Sequence, residues 1–386
     1  MVLFSTLAAA VLAVGIALLA VKAAQHGPLD AEAWTPPDKL PELEPNTILR
    51  DYGEKIFNGE VLGPESIAFD ARTKWIYSGV MSGEIIRFKE GDAHPESFLW
   101  LNASCASLPA AQTKDYFAYD PALEPVCGRP LGMRVDQDAN ALLVIESYSG
   151  LLSIDLDTRD VTRLSSGSTF ANDFDFDGND IFFTETSTRW GRSRVVLEVL
   201  ATRRKSRFLH LSRDTRELTV LKDDLPMTNG VTFSHDRTLV HFVCGYSICT
   251  WDRNANHYKG TSIDNLPCQP DNIRRHPSDG KTYLLTCGTR RLSPFALPDF
   301  LAPYPKVREF MVFLIGYNPH IAINVAPRHS MVLRVDLASQ SIVSSAQDPT
   351  GSSGFSSEAE RVGDCLYIGS WKDPFILRVP WAKTGF

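Results

Sequence analysis

The sequence predicts an all-β fold, a six-bladed β-propeller behind an N-terminal membrane-anchor helix. Three observations support this: six stretches repeat one pattern, helical periodicity is nearly absent from them, and an uncharged apolar run precedes them all. The repeats are 65-ESIAFDARTKWIYSG, 131-LGMRVDQDANALLVIES, 172-NDFDFDGNDIFFTE, 229-NGVTFSHDRTLVHFVC, 271-DNIRRHPSDGKTYLLTC and 358-EAERVGDCLYIGS. Each reads as a short strand, a turn of Asp, Gly, Asn or Pro, and a second apolar strand. A third strand is legible at Glu84–Phe88, Leu151–Leu156 and Phe375–Val379. Such units need neighbours to bury their faces, and closing them into a ring removes most exposed edges. A β-sandwich would not require six similar units. The spacing is uneven, with insertions at about 91–127, 191–210 and 288–328.

From the N-terminus, residues 2–21 carry no charge and are long enough to span a bilayer as a helix. A cleaved signal peptide is the other reading, with Val21-Lys22-Ala23 as a small-residue cleavage site. The run has no basic n-region and exceeds a usual h-region in length, which favours an uncleaved anchor. The division is then 1–22 anchor, 23–50 tether rich in Pro and acids, and 51–386 propeller. With 44% hydrophobic residues the chain has enough apolar material for a large core. A net charge of −7 and the lack of a long basic run argue against nucleic-acid binding.

Asn102-Ala103-Ser104 is a glycosylation sequon, which points to a lumenal or extracellular propeller at the endoplasmic reticulum or cell surface, or to secretion if the leader is cleaved. Cys105 and Cys127 bracket a polar insert, and a disulfide closing it would contribute about 3 kcal/mol. The cysteine total of seven leaves at least one unpaired, and Cys244, Cys249, Cys287 and Cys365 in strand-like runs read as buried thiols.

The stretch 171-ANDFDFDGNDIFFTETSTRW opens like an EF-hand calcium loop. That loop needs a bidentate Glu at its twelfth position, and counting from Asp173 the residue there is Thr184. Phe174 and Phe176 alternate with acids at period two, which is a strand pattern. Asp173, Asp175 and Asp177 are therefore expected to face elsewhere or to form the turn.

Counting back four residues from the apolar anchor of each first strand gives Glu65, Leu131, Asn172, Asn229, Asp271 and Glu358. First strands line the central channel of a propeller, so five of these six positions bring side-chain oxygens toward one axis. Oxygen donors without His or Cys suit a hard cation such as Ca2+, with Asn272 as a further donor. A water-filled channel lined by polar residues, without a metal, is the plainer alternative.

These residues, with 63-GPESIAFD, 127-CGRPLGMRVD, 183-FTETSTRW, 226-PMTNGVTFS, 270-PDNI and 365-CLYIGSW, resemble the strictosidine synthase-like family over roughly 50–386. Within it they are most similar to the adipocyte plasma membrane-associated protein group, related to paraoxonases and gluconolactonases. The resemblance implies calcium ligands at Glu65, Asn172, Asn229 and Asp271, with Asn272 as a candidate, and a disulfide between Cys105 and Cys127. It also places a catalytic glutamate near Glu358.

The expected activity is calcium-dependent hydrolysis of a small ester or lactone by a membrane-anchored protein of arylesterase type, with Asp271 and Glu358 as catalytic carboxylates. One alternative is a noncatalytic propeller, held by calcium, that binds a protein or lipid. Another is a condensing enzyme like strictosidine synthase. No His occupies a ring position, and no G-x-S-x-G elbow appears. The insertion 292-LSPFALPDFLAPYPKVREFMVFLIG has Phe300, Val307, Phe310, Met311 and Leu314 at near-helical spacing, fit for a lid, for packing on the propeller or for touching a bilayer.

Overall fold

The computed structural model of the protein describes residues 11–18, 29–165, 167–315, 323 and 326–386. After helices α1 (11–18) and α2 (Ile48–Tyr52) comes strand β1 (Glu54–Ile56). Blade 1 is β2 (Ala68–Phe69), β3 (Ile76–Gly79), β4 (Glu84–Phe88) and β5 (Glu96–Trp100). Helices α3 (Ala110–Lys114) and α4 (Glu124–Cys127) lead to blade 2, with β6 (Pro130–Asp136), β7 (Ala141–Glu146), β8 (Gly150–Asp155) and β9 (Val161–Arg163). Blade 3 is β10 (Ala171–Asp177), β11 (Asp180–Glu185), then helix α5 (Val195–Ala201), β12 (Ser206–Ser212) and β13 (Leu218–Leu225). Blade 4 is β14 (Thr228–Phe233), β15 (Leu239–Cys244), β16 (Ser247–Asp252) and β17 (His257–Ile263). Blade 5 opens with β18 (Cys268–Arg275) and β19 (Tyr283–Arg290), passes through helices α6 (Leu297–Leu301) and α7 (Pro305–Ile315), and ends with β20 (Ser330–Asp336) and β21 (Ser341–Asp348). Blade 6 is β22 (Ser356–Val362), β23 (Cys365–Ser370) and β24 (Ile376–Pro380), and β1 supplies its fourth strand.

The six sheets are four-stranded, and each repeat read from the sequence forms the first hairpin of one blade. The fourth strands are harder to read because they lie at the solvent edge. In β17 exposed and half-buried residues alternate up to Ile263, so no apolar run marks it. Apolar faces pack between blades. Phe208 of blade 3 stacks on Phe242 of blade 4 at 4.2 Å, in one cluster with Phe182, Phe233 and Trp251. Burying each such ring contributes roughly 1.5–3 kcal/mol.

Polar contacts add to this packing. Val231 N–H donates to Asp173 Oδ2 at 2.8 Å, and Phe233 N–H donates to Asp175 Oδ2 at 3.0 Å, joining blades 3 and 4. Asp175 faces elsewhere than the ring, as expected, whereas Asp173 does not: it meets Arg274 and Arg134 from other first strands. Asp177 does lie at the turn, paired with Arg237 and Arg253.

Adjacent strands within each blade run antiparallel. Connections entering first strands and those joining second to third strands therefore share one end of the ring. Helices α3 to α7 all belong to that end. Residues 29–47 are laid against it and along its rim. Glu32 N–H donates to Ala201 O at 2.9 Å, Ser293 N–H to Pro41 O at 3.1 Å, and Gln347 N–H to Asn46 Oδ1 at 2.9 Å.

The expected anchor falls mostly outside the described residues. Among the described residues no helix is long and apolar enough to cross a membrane.

Cys105 and Cys127 form a disulfide, as expected. Cys244–Cys249 and Cys268–Cys287 are also disulfides, which corrects the reading of Cys244, Cys249 and Cys287 as thiols. The strand pattern carries burial but not pairing. Cys365 is free, and it is half-buried rather than buried.

Candidate functional site

The ladder between first and second strands lapses at one place in five of the six blades: between Pro130 and Met133, Ala171 and Phe174, Thr228 and Val231, Pro270 and Ile273, and Ser356 and Ala359. A bulge there frees two consecutive residues from strict alternation and re-aims their side chains. The freed residues include Asn172-Asp173, Asn229, Asp271-Asn272 and Glu358. Small residues let the neighbouring first strands come close. A Cβ on Gly230 would lie 2.6 Å from Asn272 Cα, and one on Gly132 would lie 2.4 Å from Asp173 Oδ1.

Glu65, Asn172, Asn229, Asp271 and Asn272 are all buried at the loop-bearing end of the channel. Asn229 Oδ1, Asp271 Oδ1 and Asn272 Oδ1 are enclosed and accept no hydrogen bond from the protein. Native interiors seldom leave such oxygens unpaired. Asn172 donates its amide to Thr186 Oγ1 at 2.9 Å, and Thr186 in turn donates to Thr228 O at 2.6 Å. Burial, with the like charge of Glu65 nearby, holds the Asp271 carboxyl well above the usual range, while the Asn229 amide pulls the other way. Negative charge is thus concentrated on too few donors. Among the described residues no three His, Cys, Asp or Glu side chains gather as a metal site.

Glu65 is not alone. Its Oε2 accepts from Arg129 Nη2 at 2.6 Å, and Arg129, fully enclosed, also donates from Nη1 to Gly63 O at 3.0 Å. Trp371 stands beside the ring: a Cβ on Gly288 would be 3.2 Å from Trp371 Nε1 and 3.6 Å from Asp271 Oδ2.

A second layer adjoins the ring. Arg274 donates to Asp173 from Nη1 at 2.8 Å and from Nη2 at 3.1 Å, and also bonds Glu358 Oε2. Arg134 lies 3.4 Å from Asp173 and 3.9 Å from Glu358. Burial opposes the ionisation of Asp173, but Arg274 and Arg134 outweigh it and hold that carboxyl below its ordinary range. Glu358 further accepts from Ser66 Oγ at 3.1 Å and from Asn272 Nδ2 at 3.4 Å, and its Oε1 is unpaired. The structure therefore brings the five proposed ligands to one end of the channel and sets Glu358 in the arginine layer adjoining it. From sequence, no site role falls to Arg129, Arg134, Arg274 or Trp371, although Arg129 and Arg134 lie inside 127-CGRPLGMRVD, Arg274 inside the fifth repeat and Trp371 inside 365-CLYIGSW, and Asp173 is expected to face away from the ring.

Asn102 is half-buried at the start of the 101–127 insert, where its Nδ2 donates to Val126 O at 2.9 Å.

A six-bladed propeller with bulged first strands around an oxygen-lined channel fits what comparison with known proteins finds. The strictosidine synthase family model matches residues 172–254. Adipocyte plasma membrane-associated protein of Rattus norvegicus is 31% identical over 94% of this chain and 96% of its own length, and the Homo sapiens protein is 31% identical over 94% and 86%. A strictosidine synthase-like protein of Arabidopsis thaliana is 29% identical over 81% of this chain and 84% of its own. Among solved structures, a gluconolactonase of Xanthomonas campestris has a TM-score of 0.52 at 13% identity, covering 91% of this chain and 98% of that one. The calcium-binding protein regucalcin of Agrobacterium tumefaciens has a TM-score of 0.53 at 12% identity, covering 85% and 93%. The two structures share the fold. The chain belongs to the strictosidine synthase-like family, in its adipocyte plasma membrane-associated protein group.

Proposed function

We propose that the protein is a calcium-dependent hydrolase of small esters or lactones, with its site at the channel ring. The observation that carries this reading is the set of three enclosed oxygens without donors, on Asn229, Asp271 and Asn272, next to a second carboxylate. All are hard donors, in the number and irregularity that calcium tolerates. Glu65, Asn172, Asn229, Asp271 and Asn272 would hold the ion, which when bound supplies a positive charge that polarises an ester carbonyl.

The chain's own residues have separable tasks. Asp271, whose Oδ1 is free of protein donors, is the carboxylate placed to accept a proton from water or to attack the ester. Glu358 is tied to Arg274 and touches the Asn272 amide, so it orients that amide and backs up the reacting carboxylate. Trp371, in ring contact with Phe355 at 4.6 Å, offers an apolar wall beside Asp271. Three disulfides fit an oxidising compartment, and the relatives' naming as plasma membrane-associated supports a membrane-bound protein with its propeller lumenal or extracellular.

A noncatalytic, calcium-held propeller is the second reading. The arginine layer next to the ring favours it, because ion pairs there knit four first strands together without any reaction.

The test is phenyl acetate hydrolysis by the full chain, with calcium and with chelator, alongside calcium titration calorimetry of the wild type and Asn229→Ala. Hydrolysis that needs calcium, with both binding and turnover lost in the variant, supports the hydrolase. Calcium binding without turnover of any ester or lactone leaves the second reading, and hydrolysis that survives loss of the metal overturns the mechanism.

A further inference from the structure

Helices α6 and α7 present an apolar strip at the loop-bearing end. Phe295 is 58% exposed, Phe300 59%, Tyr304 51%, Val307 45% and Phe310 58%. The strip is continuous: ring centroids are 5.7 Å apart for Phe295–Phe300 and 6.3 Å for Phe300–Tyr304, and Tyr304, just ahead of α7, is followed at three-residue spacing by Val307 and Phe310 on that helix. The opposite face of α7 is spent inside, where Arg308 and Val312 are buried.

The segment after the uncharged 2–21 run is fastened to the same helices. Ala31 N–H donates to Glu309 Oε1 at 3.2 Å, and Trp34 N–H donates to Ala302 O at 3.3 Å. Arg308 binds Glu32 O while donating to Leu200 O at 2.7 Å, which locks this segment to α5 and α7 together. Leu29 is buried in one cluster with Trp190, Leu197 and Val312.

We infer that the α6–α7 strip lies on a lipid bilayer, so that the loop-bearing end of the channel faces the membrane. From Val21 to Leu29 is eight residues, at most about 28 Å of chain. A bilayer holding the 2–21 run therefore lies within that reach of the helices to which residue 29 is joined. Aromatic and aliphatic side chains on the solvent face of short helices suit the headgroup boundary. Helices α6 and α7 rise from blade 5 and the adjoining α5 from blade 3, and Trp34 packs against Tyr246 of blade 4 at 5.9 Å. Contact is thus off-axis and tilts the propeller. Asn102, which follows blade 1 opposite blade 4, lies on the raised side, clear of the lipid. The ring gains an approach from the bilayer for amphiphilic molecules. The orientation itself does not depend on any hydrolytic activity.

The experiment uses the full chain with Cys365→Ser, reconstituted in vesicles of phosphatidylcholine and phosphatidylserine. A fluorophore is placed at Phe300→Cys, at Phe310→Cys, or at Ser278→Cys on the far end of the ring. Doxyl-labelled lipid is expected to quench positions 300 and 310 at least about threefold more than 278, with aqueous iodide giving the reverse order. Equal iodide access at all three positions would overturn the inference. Protection of 300 and 310 from both quenchers would also overturn it, since the strip would then be covered by protein.

Discussion

Arg129 has no exposed surface and meets Glu65 inside the channel mouth, so neither charge can lose its partner cheaply. Arg129→Leu is expected to destabilise the fold by about 3 kcal/mol or more, the range for a buried carboxylate left unpaired. Calcium should recover part of that loss if Glu65 is a ligand, so the thermal shift on adding calcium should be larger in the variant. Thermal denaturation with and without calcium reads both effects, and an unchanged midpoint would show that the pairing carries little. Gly230→Ala is expected to weaken calcium binding at least about tenfold while the protein stays folded, because its Cβ would press on the Asn272 backbone. Calorimetry checks it. Much of the ring could be read in advance: counting back from Phe176, Phe233 and Arg275 reaches Asn172, Asn229 and Asp271. Asp173 could not, because strand alternation points it away and only the bulge between Ala171 and Phe174 turns it inward. Arg129, Arg134 and Arg274 were also out of reach. Which charges meet across a channel depends on blade order and closeness, and no single strand pattern contains either.

At the scale of elements, disulfides and loops add to what strand pairing achieves. Cys268 and Cys287 join β18 to β19 across a sequence separation of 19. Closing a loop of that size contributes about 3 kcal/mol in the chain-entropy model. Replacing both by Ala should lower the urea midpoint accordingly, and the same drop should follow reduction of the wild type if this bridge dominates. The loop after β21 hangs on Asp348. Its carboxylate accepts from Ser352 Oγ at 2.6 Å, Ser353 N at 2.7 Å and Thr350 N at 3.0 Å. Burial alone would raise its pKa, but these donors outweigh burial and bring it from 3.8 down to about 2. A depressed carboxyl stabilises the fold fully above 3.8 and loses that contribution as pH falls toward about 2. Asp348→Asn should therefore destabilise the protein at neutral pH and flatten its urea midpoint against pH through that window. A variant as steep there as the wild type would assign the dependence to other carboxylates.

For the whole molecule, closure of the ring sets cooperativity. Only β1 pairs with the outer side of β24, through Glu54 with Arg378, Lys55 with Leu377 and Ile56 with Ile376. A chain ending at residue 374 would lack β24, leaving β1 without a sheet and β23 exposed as an edge. Its urea transition is expected to broaden and to separate between near-ultraviolet and far-ultraviolet circular dichroism, whereas the full chain should show one coincident transition. A single sharp transition in the truncated chain would mean that closure is dispensable. The same pairing has a consequence for biogenesis. Residues 54–56 leave the ribosome early, yet their partners are made last, more than 300 residues later. Through most of synthesis the first strand has nowhere to dock. Blades 1 to 5 can assemble as an open arc in the meantime, but the circle shuts only when the final hairpin is released. A ribosome stalled in the last few dozen codons would hold a nearly complete arc with both edges open, the form most exposed to misassembly and to quality control.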